Sequence, residues 1–139
     1  MLLRRLPAWS GNFGKRLIRV PKVYVRDSGL VHALLGLVNL DAVLSHPVAG
    51  SSWEGFVVEQ IINAAPTAQA SFYRTSNGAE VDLVVVFRSG QTMIVEIKRS
   101  SAPSVSRGFY TAAEDLGAVR KFLVAPAEQP YPMKEGIEL

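Results

Sequence analysis

Glu80-Val81-Asp82-Leu83-Val84-Val85-Val86-Phe87-Arg88-Ser89-Gly90-Gln91-Thr92-Met93-Ile94-Val95-Glu96-Ile97-Lys98 is the stretch from which the architecture of this chain can be read. It predicts two Val-rich strands, residues 80–87 and 91–98, joined by a short turn. A three-residue loop ending in a left-handed Gly is a favoured hairpin connection. With Arg88-Ser89-Gly90 as that loop, Phe87 pairs with Gln91, Asp82 falls opposite Glu96, and Glu80 falls opposite Lys98. Strand side chains alternate, so these four charged residues are expected on one face. A two-residue loop would slip the register by one and part Asp82 from Glu96. Gly90 in third place favours the first register.

Both strands are otherwise apolar on both faces, which predicts a central hairpin covered above and below. Like charges placed opposite each other destabilise a strand pair. Asp82 and Glu96 therefore call for a cation, either Lys98 or a hard metal ion, and carboxylate oxygens suit Mg²⁺ or Mn²⁺.

The best helix pattern precedes the hairpin at residues 52–65, ended by Pro66. Around its wheel Trp53, Val57, Val58, Ile61 and Ile62 share one broad face. Glu54 falls within that face, while Glu59, Gln60 and Asn63 fall largely outside it, so Glu59 is expected to face water. Ser51-x-x-Glu54 also fits a capping box. A capping role and a site role for Glu54 both stay open and do not exclude each other.

Shorter elements flank this core. Strands are expected at 22–26, 71–74 and 119–124, with a further short one at 136–139. Brief helices are expected at 30–35 and 41–45, and a longer one at 106–116 with Gly117 just beyond it. Helix, three strands, helix, strand is an α/β order: a mixed central sheet flanked by helices.

With 139 residues the chain suits one domain. It has no cysteine, which excludes disulfide scaffolds, thiolate metal sites and thiol nucleophiles. Its two histidines, His32 and His46, are too few for a His-rich metal site; the first reads as a helix residue and the second as a loop residue. The longest apolar run, residues 83–87, is far short of the roughly 20 residues a membrane helix needs. No apolar segment of a signal peptide follows Arg4-Arg5, so a cytoplasmic setting without a membrane is expected. The net charge of +3 is unevenly spread: seven basic residues and no acidic one precede Asp27, leaving eight basic and twelve acidic from Asp27 onward. Residues 1–26 thus read as a basic arm or linker from a preceding module, and 27–139 as the body. Such an arm suits a polyanion or a neighbouring domain.

Asp82 followed by Glu96-Ile97-Lys98, with Glu54 on the helix before, resembles the core of the PD-(D/E)xK restriction-endonuclease-like superfamily. A longer series resembles one family more closely. It runs through Leu17-Ile18-Arg19-Val20-Pro21-Lys22-Val23-Tyr24-Val25-Arg26-Asp27-Ser28-Gly29-Leu30, Leu34-Leu35-Gly36, residues 50–57, Tyr73-Arg74-Thr75, Gly78-Ala79-Glu80-Val81-Asp82 and Val95-Glu96-Ile97-Lys98. This is similar to domain of unknown function 4143, the C-terminal domain of bacterial and archaeal AAA-type ATPases. The resemblance implies a restriction-endonuclease-like α/β fold and phosphodiester hydrolysis on DNA with Mg²⁺ or Mn²⁺. It implies Asp82 and Glu96 as metal ligands, Glu80 as the alternative ligand, Lys98 as the cation that orients water, and Glu54 as a further carboxylate. Arg74 and Arg99 would hold phosphate. The ATPase is expected elsewhere, because no G-x(4)-G-K-[ST] occurs here. The chain then reads as a piece of a longer protein or a shortened form of one.

The alternative is a non-catalytic regulatory or interaction domain of the ATPase, its acids neutralised by Lys98 and Arg74. In the nuclease reading Glu80 is a ligand only if the register differs, and otherwise it pairs with Lys98. Phe72, Tyr73, Phe109, Tyr110 and Tyr24 suit core packing better than base stacking.

Overall fold

The computed structural model describes residues 1–11, 14 and 16–139. The sequence Ser10-Gly11-Asn12 carries a turn signal; Asn12, and Lys15 of the arm's basic residues, lie outside the described residues. In chain order the elements are β1 (Leu3–Leu6), β2 (Lys22–Val25), α1 (Ser28–Leu34), α2 (Leu40–Ser45), α3 (Ala49–Ala64), β3 (Gln69–Arg74), β4 (Glu80–Val86), β5 (Thr92–Ile97), α4 (Arg107–Leu116), β6 (Arg120–Val124) and β7 (Ile137–Glu138). No helix among the described residues is long and apolar enough to cross a membrane.

The Val-rich hairpin folds as its turn dictates. Gly90 takes φ +84°, and the Phe87 N–H bonds the Gln91 carbonyl at 3.0 Å. Val86 pairs with Thr92 and Leu83 with Val95, the expected register. A five-stranded mixed sheet grows from it in the order β3-β4-β5-β6-β7. β3, β4 and β5 are antiparallel neighbours, whereas β5, β6 and β7 run parallel. The parallel β5–β6 step needs a crossover, which α4 supplies. Ser106 caps the start of α4, and left-handed Gly117 ends it.

The sheet is covered on both faces. On one side Phe109, Ala112, Ala113 and Leu116 of α4 pack with Val81, Val84, Ile94 and Leu123. On the other, Val57 and Val58 of α3 pack with Leu6, Phe72, Leu83, Val85, Val95 and Ile97. Phe72, Tyr73 and Phe109 are fully buried, in keeping with a core role.

The segment before Lys22 holds a strand that local pattern does not announce. β1 pairs antiparallel with β2, from Leu3 opposite Val25 to Leu6 opposite Lys22. Leu6 is 1% exposed within the α3-side core. The chain then runs along the outer edge of β3. Phe72 donates to the Pro7 carbonyl at 3.0 Å and accepts from the Trp9 N–H at 2.7 Å, and Ile18 N–H reaches the Arg74 carbonyl at 2.9 Å. This covers an edge that would otherwise present open backbone groups.

One irregularity decides how the acids are presented. β3 pairs Ser71 with Val84 but Tyr73 with Val81, so Asp82 and Leu83 together oppose Phe72. This is a β-bulge in β4, a device that re-aims a side chain. Alternation breaks there: Val81 joins Val84 on the α4 side, while Leu83 and Val85 face α3.

Candidate functional site

The bulge places Asp82 where β4 and β5 part. Its Oδ2 accepts the Ile97 backbone N–H at 2.8 Å. Glu96, 6% exposed, lies on β5, and its Oε1 pairs with Lys98 Nζ at 2.7 Å. The Lys98 backbone is pinned from two sides, by the Val124 carbonyl at 2.9 Å and by Trp53 Nε1 at 3.0 Å. Glu54 reaches in from α3. Its Oε1 accepts from the Tyr24 hydroxyl at 2.5 Å and from Lys22 Nζ at 2.9 Å. Lys22 Nζ also lies 3.5 Å from Asp82 Oδ1 and 3.9 Å from Glu80 Oε1. Arg74 completes the cluster through an ion pair to Glu80.

Glu54, Glu80, Asp82 and Glu96 thus meet Lys22, Arg74 and Lys98, four carboxylates against three cations. The imbalance falls on the buried pair. Burial, then the neighbouring Glu54 charge, pushes the Asp82 carboxyl up from its ordinary range. Burial, then the Asp82 charge, does the same to Glu96 despite Lys98. Lys98 is raised by its bond to Glu96 and stays charged. Burial, with the Glu54 bond and charge next, pushes the Tyr24 hydroxyl up, so it remains a donor. Glu96 Oε2 and Arg74 Nε are buried without a hydrogen-bond partner. One unsatisfied acceptor and one unsatisfied donor therefore lie in the same cluster, where leaving them so is costly.

The expected residues Glu54, Asp82, Glu96 and Lys98 do come together. Two expectations are corrected, and one open choice is decided. Glu80 pairs with Arg74 and Lys22, not with Lys98, because the bulge breaks the alternation that would carry it to the face of Glu96. The Ser51–Glu54 capping box does not form. Val48 is the N-cap of α3, Ser51 Oγ donates to its carbonyl at 3.1 Å, and the Glu54 carboxylate is taken by Lys22 and Tyr24. Glu59 does not face water: it is 6% exposed and paired with Arg4 and Arg26, because the β1–β2 hairpin covers that flank of α3. Arg99 is exposed just beyond Lys98. His32 bonds Ser52 Oγ at 2.7 Å, and His46 accepts the Val48 N–H at 3.1 Å. Lys22 and Tyr24 are the site residues that sequence reasoning missed. Each sits in a strand remote in sequence from the acids, and no spacing rule links them.

Among the described residues no group of three or more His, Asp or Glu side chains is drawn together tightly enough to hold a metal ion. The ammonium groups of Lys22 and Lys98 sit between the carboxylates instead. The donor set still suits a hard divalent cation: all its members are carboxylates, one buried oxygen is unpartnered, and the cluster carries one excess negative charge.

The model of the domain of unknown function DUF4143 matches residues 49–139, which includes every acid of the cluster. The chain belongs to the DUF4143 family. The preceding residues 1–41 match a second domain of unknown function, DUF8612, so Lys22 and Tyr24 reach the DUF4143 acids from a separately defined segment. Two curated relatives are the uncharacterized proteins Rv2008c of Mycobacterium tuberculosis and Mb2031c of Mycobacterium bovis. Each is 41% identical over 137 residues, covering 99% of this chain and 31% of the relative. The chain therefore spans about a third of the length of these DUF4143 relatives. No solved structure matches it.

Proposed function

We propose that this DUF4143 domain is a Mg²⁺- or Mn²⁺-dependent nuclease-like domain with a restriction-endonuclease-like core, hydrolysing phosphodiester bonds in DNA. It would act within a longer protein that carries an AAA-type ATPase module. The observation that carries the reading is the buried, unpartnered Glu96 Oε2 beside Asp82, whose carboxyl is also raised by burial and neighbouring charge. Asp82 and Glu96, with Glu54 behind them, would hold the ion. When bound, the ion supplies Lewis acidity and neutralises charge on the phosphate. Lys98, 39% exposed at its side chain and anchored on Glu96, would orient the attacking water. Arg74 and Arg99 would hold the substrate phosphates.

A second reading rests on Lys22. Its ammonium already bridges Glu54 and Asp82, which suits a non-catalytic domain whose acids form a structural ion cluster. Calorimetric titration with Mn²⁺ separates the two. A stoichiometric site abolished by Asp82→Asn or Glu96→Gln supports the metal reading. No heat at millimolar Mn²⁺ from wild type and from a Lys22→Met variant alike overturns it in favour of the structural cluster. Cleavage of supercoiled plasmid by wild type, lost in Lys98→Met, tests hydrolysis itself.

A further inference from the structure

Lys22 arrives from β2 and places its ammonium 2.9 Å from Glu54 Oε1, 3.5 Å from Asp82 Oδ1 and 3.9 Å from Glu80 Oε1. The same ammonium lies 5.5 Å from the centre of the Phe72 ring, and the side chain is 18% exposed. We infer that Lys22 is a resident cation of the acidic cluster that a divalent ion must displace in order to enter. The inference rests on the metal-binding reading above.

The argument is one of shared ligands. Glu54 Oε1 and Asp82 Oδ1 are oxygens an entering ion needs, and Lys22 holds the first and crowds the second. An ammonium and a dication within a few ångströms repel, so both cannot use these oxygens together. Glu96 Oε2 stays unpartnered with Lys22 in place, so this lysine does not complete the cluster. The surroundings let Lys22 leave without unfolding the strand that carries it. The far end of the hairpin is fastened to α3 through Arg4 and Arg26 on Glu59. Tyr24 keeps its own bond to Glu54 Oε1 and would hold that carboxylate in position once the ammonium has gone. Lysine has a flexible four-carbon stem and can swing outward while its backbone stays paired.

Competition of this kind scales the apparent metal affinity down to the fraction of molecules in which Lys22 has left the cluster. Lys22→Met keeps the stem and removes the charge. In Mn²⁺ calorimetry it should bind at least tenfold tighter than wild type, while Lys22→Arg, which keeps the charge, should not. The metal-free Lys22→Met protein should melt lower than wild type and recover with Mn²⁺. In wild type, the ¹⁵Nζ resonance of Lys22 should move toward that of a free lysine as Mg²⁺ saturates the site, a readout that needs no variant to fold. If wild type binds metal but Lys22→Met binds no tighter, or if the Lys22 resonance stays put at saturation, displacement is wrong and the metal reading stands. If wild type, Lys22→Met and Asp82→Asn are all silent, both fall. A silent wild type with a Lys22→Met protein that binds would establish both.

Discussion

Arg4 holds Glu59 with two parallel hydrogen bonds, Nε to Oε2 and Nη2 to Oε1, both 2.9 Å, across 55 positions of sequence. Arg26 adds a third to Oε1 at 2.7 Å. Bidentate Arg–carboxylate pairing is the strong, geometrically specific form of ion pair. Here it clamps both strands of the N-terminal hairpin to α3 and so sets where Lys22 and Tyr24 reach the acids.

The clamp has a pH signature. Arg4, then Arg26, hold the Glu59 carboxyl down at about 2, against an ordinary 4.5. A lowered folded-state value means the stabilisation is present above about 4.5 and is lost as pH falls toward 2. It amounts to about 3 kcal/mol by linkage. Glu59→Gln should cost about 2–3 kcal/mol at pH 7 and flatten the loss of stability between pH 5 and 2. Urea unfolding across that pH range, wild type against variant, measures both effects.

The buried acids of the cluster should behave in the opposite sense. Asp82 is buried among negative charges, and its raised carboxyl means that ionisation at neutral pH opposes folding. Asparagine keeps an oxygen for the Ile97 N–H and sheds the charge. In EDTA at pH 7, Asp82→Asn should therefore raise Tm by about 3 °C, near 1 kcal/mol for a chain of this size. Added Mn²⁺ should lift the wild-type Tm and leave the variant unmoved. A fall in the variant's metal-free Tm would favour the structural-cluster reading.

Gly108, in the first turn of α4, has no room for a side chain. A Cβ there would meet the Gly78 carbonyl oxygen at 2.7 Å and the Ala79 Cα at 3.2 Å. Both are backbone, so the helix must shift. Gly108→Ala should lose about 1–2 kcal/mol, seen as a lower urea midpoint at unchanged slope.

Removing residues 1–26 should do more than remove an arm. It would uncover the α3-side core around Leu6, leave the Phe72 N–H and carbonyl without their partners, and strand Glu59 without Arg4 and Arg26. A chain beginning at Asp27 should aggregate or melt without cooperativity, by light scattering and calorimetry. A monomer with unchanged Tm would show the segment to be dispensable.

Much of the fold was readable because its signals are local. Gly90 in the third loop position sets a turn, the turn sets the register, and the register brings Asp82 toward Glu96. Ser106 and Gly117 bracket α4 in the same way, and the apolar wheel of α3 names its buried face. These follow from backbone preferences and periodicity within a few residues.

What stayed hidden depends on partners distant in sequence. Strand β1 has no pattern of its own and exists because β2 and the β3 edge lie beside it. Glu59 falls on the polar side of its helix wheel but is covered by the hairpin, and Glu54, which local pattern leaves open between a cap and a site, has its carboxylate taken by Lys22 and Tyr24. The bulge at Asp82 arises from matching two strands around Phe72, and it turned Glu80 away from Lys98 toward Arg74. Burial and pairing are properties of the assembled neighbourhood. The residue types that form the acidic cluster are written in the chain, but which cation each acid holds is settled when the hairpin, the helix and the sheet come together.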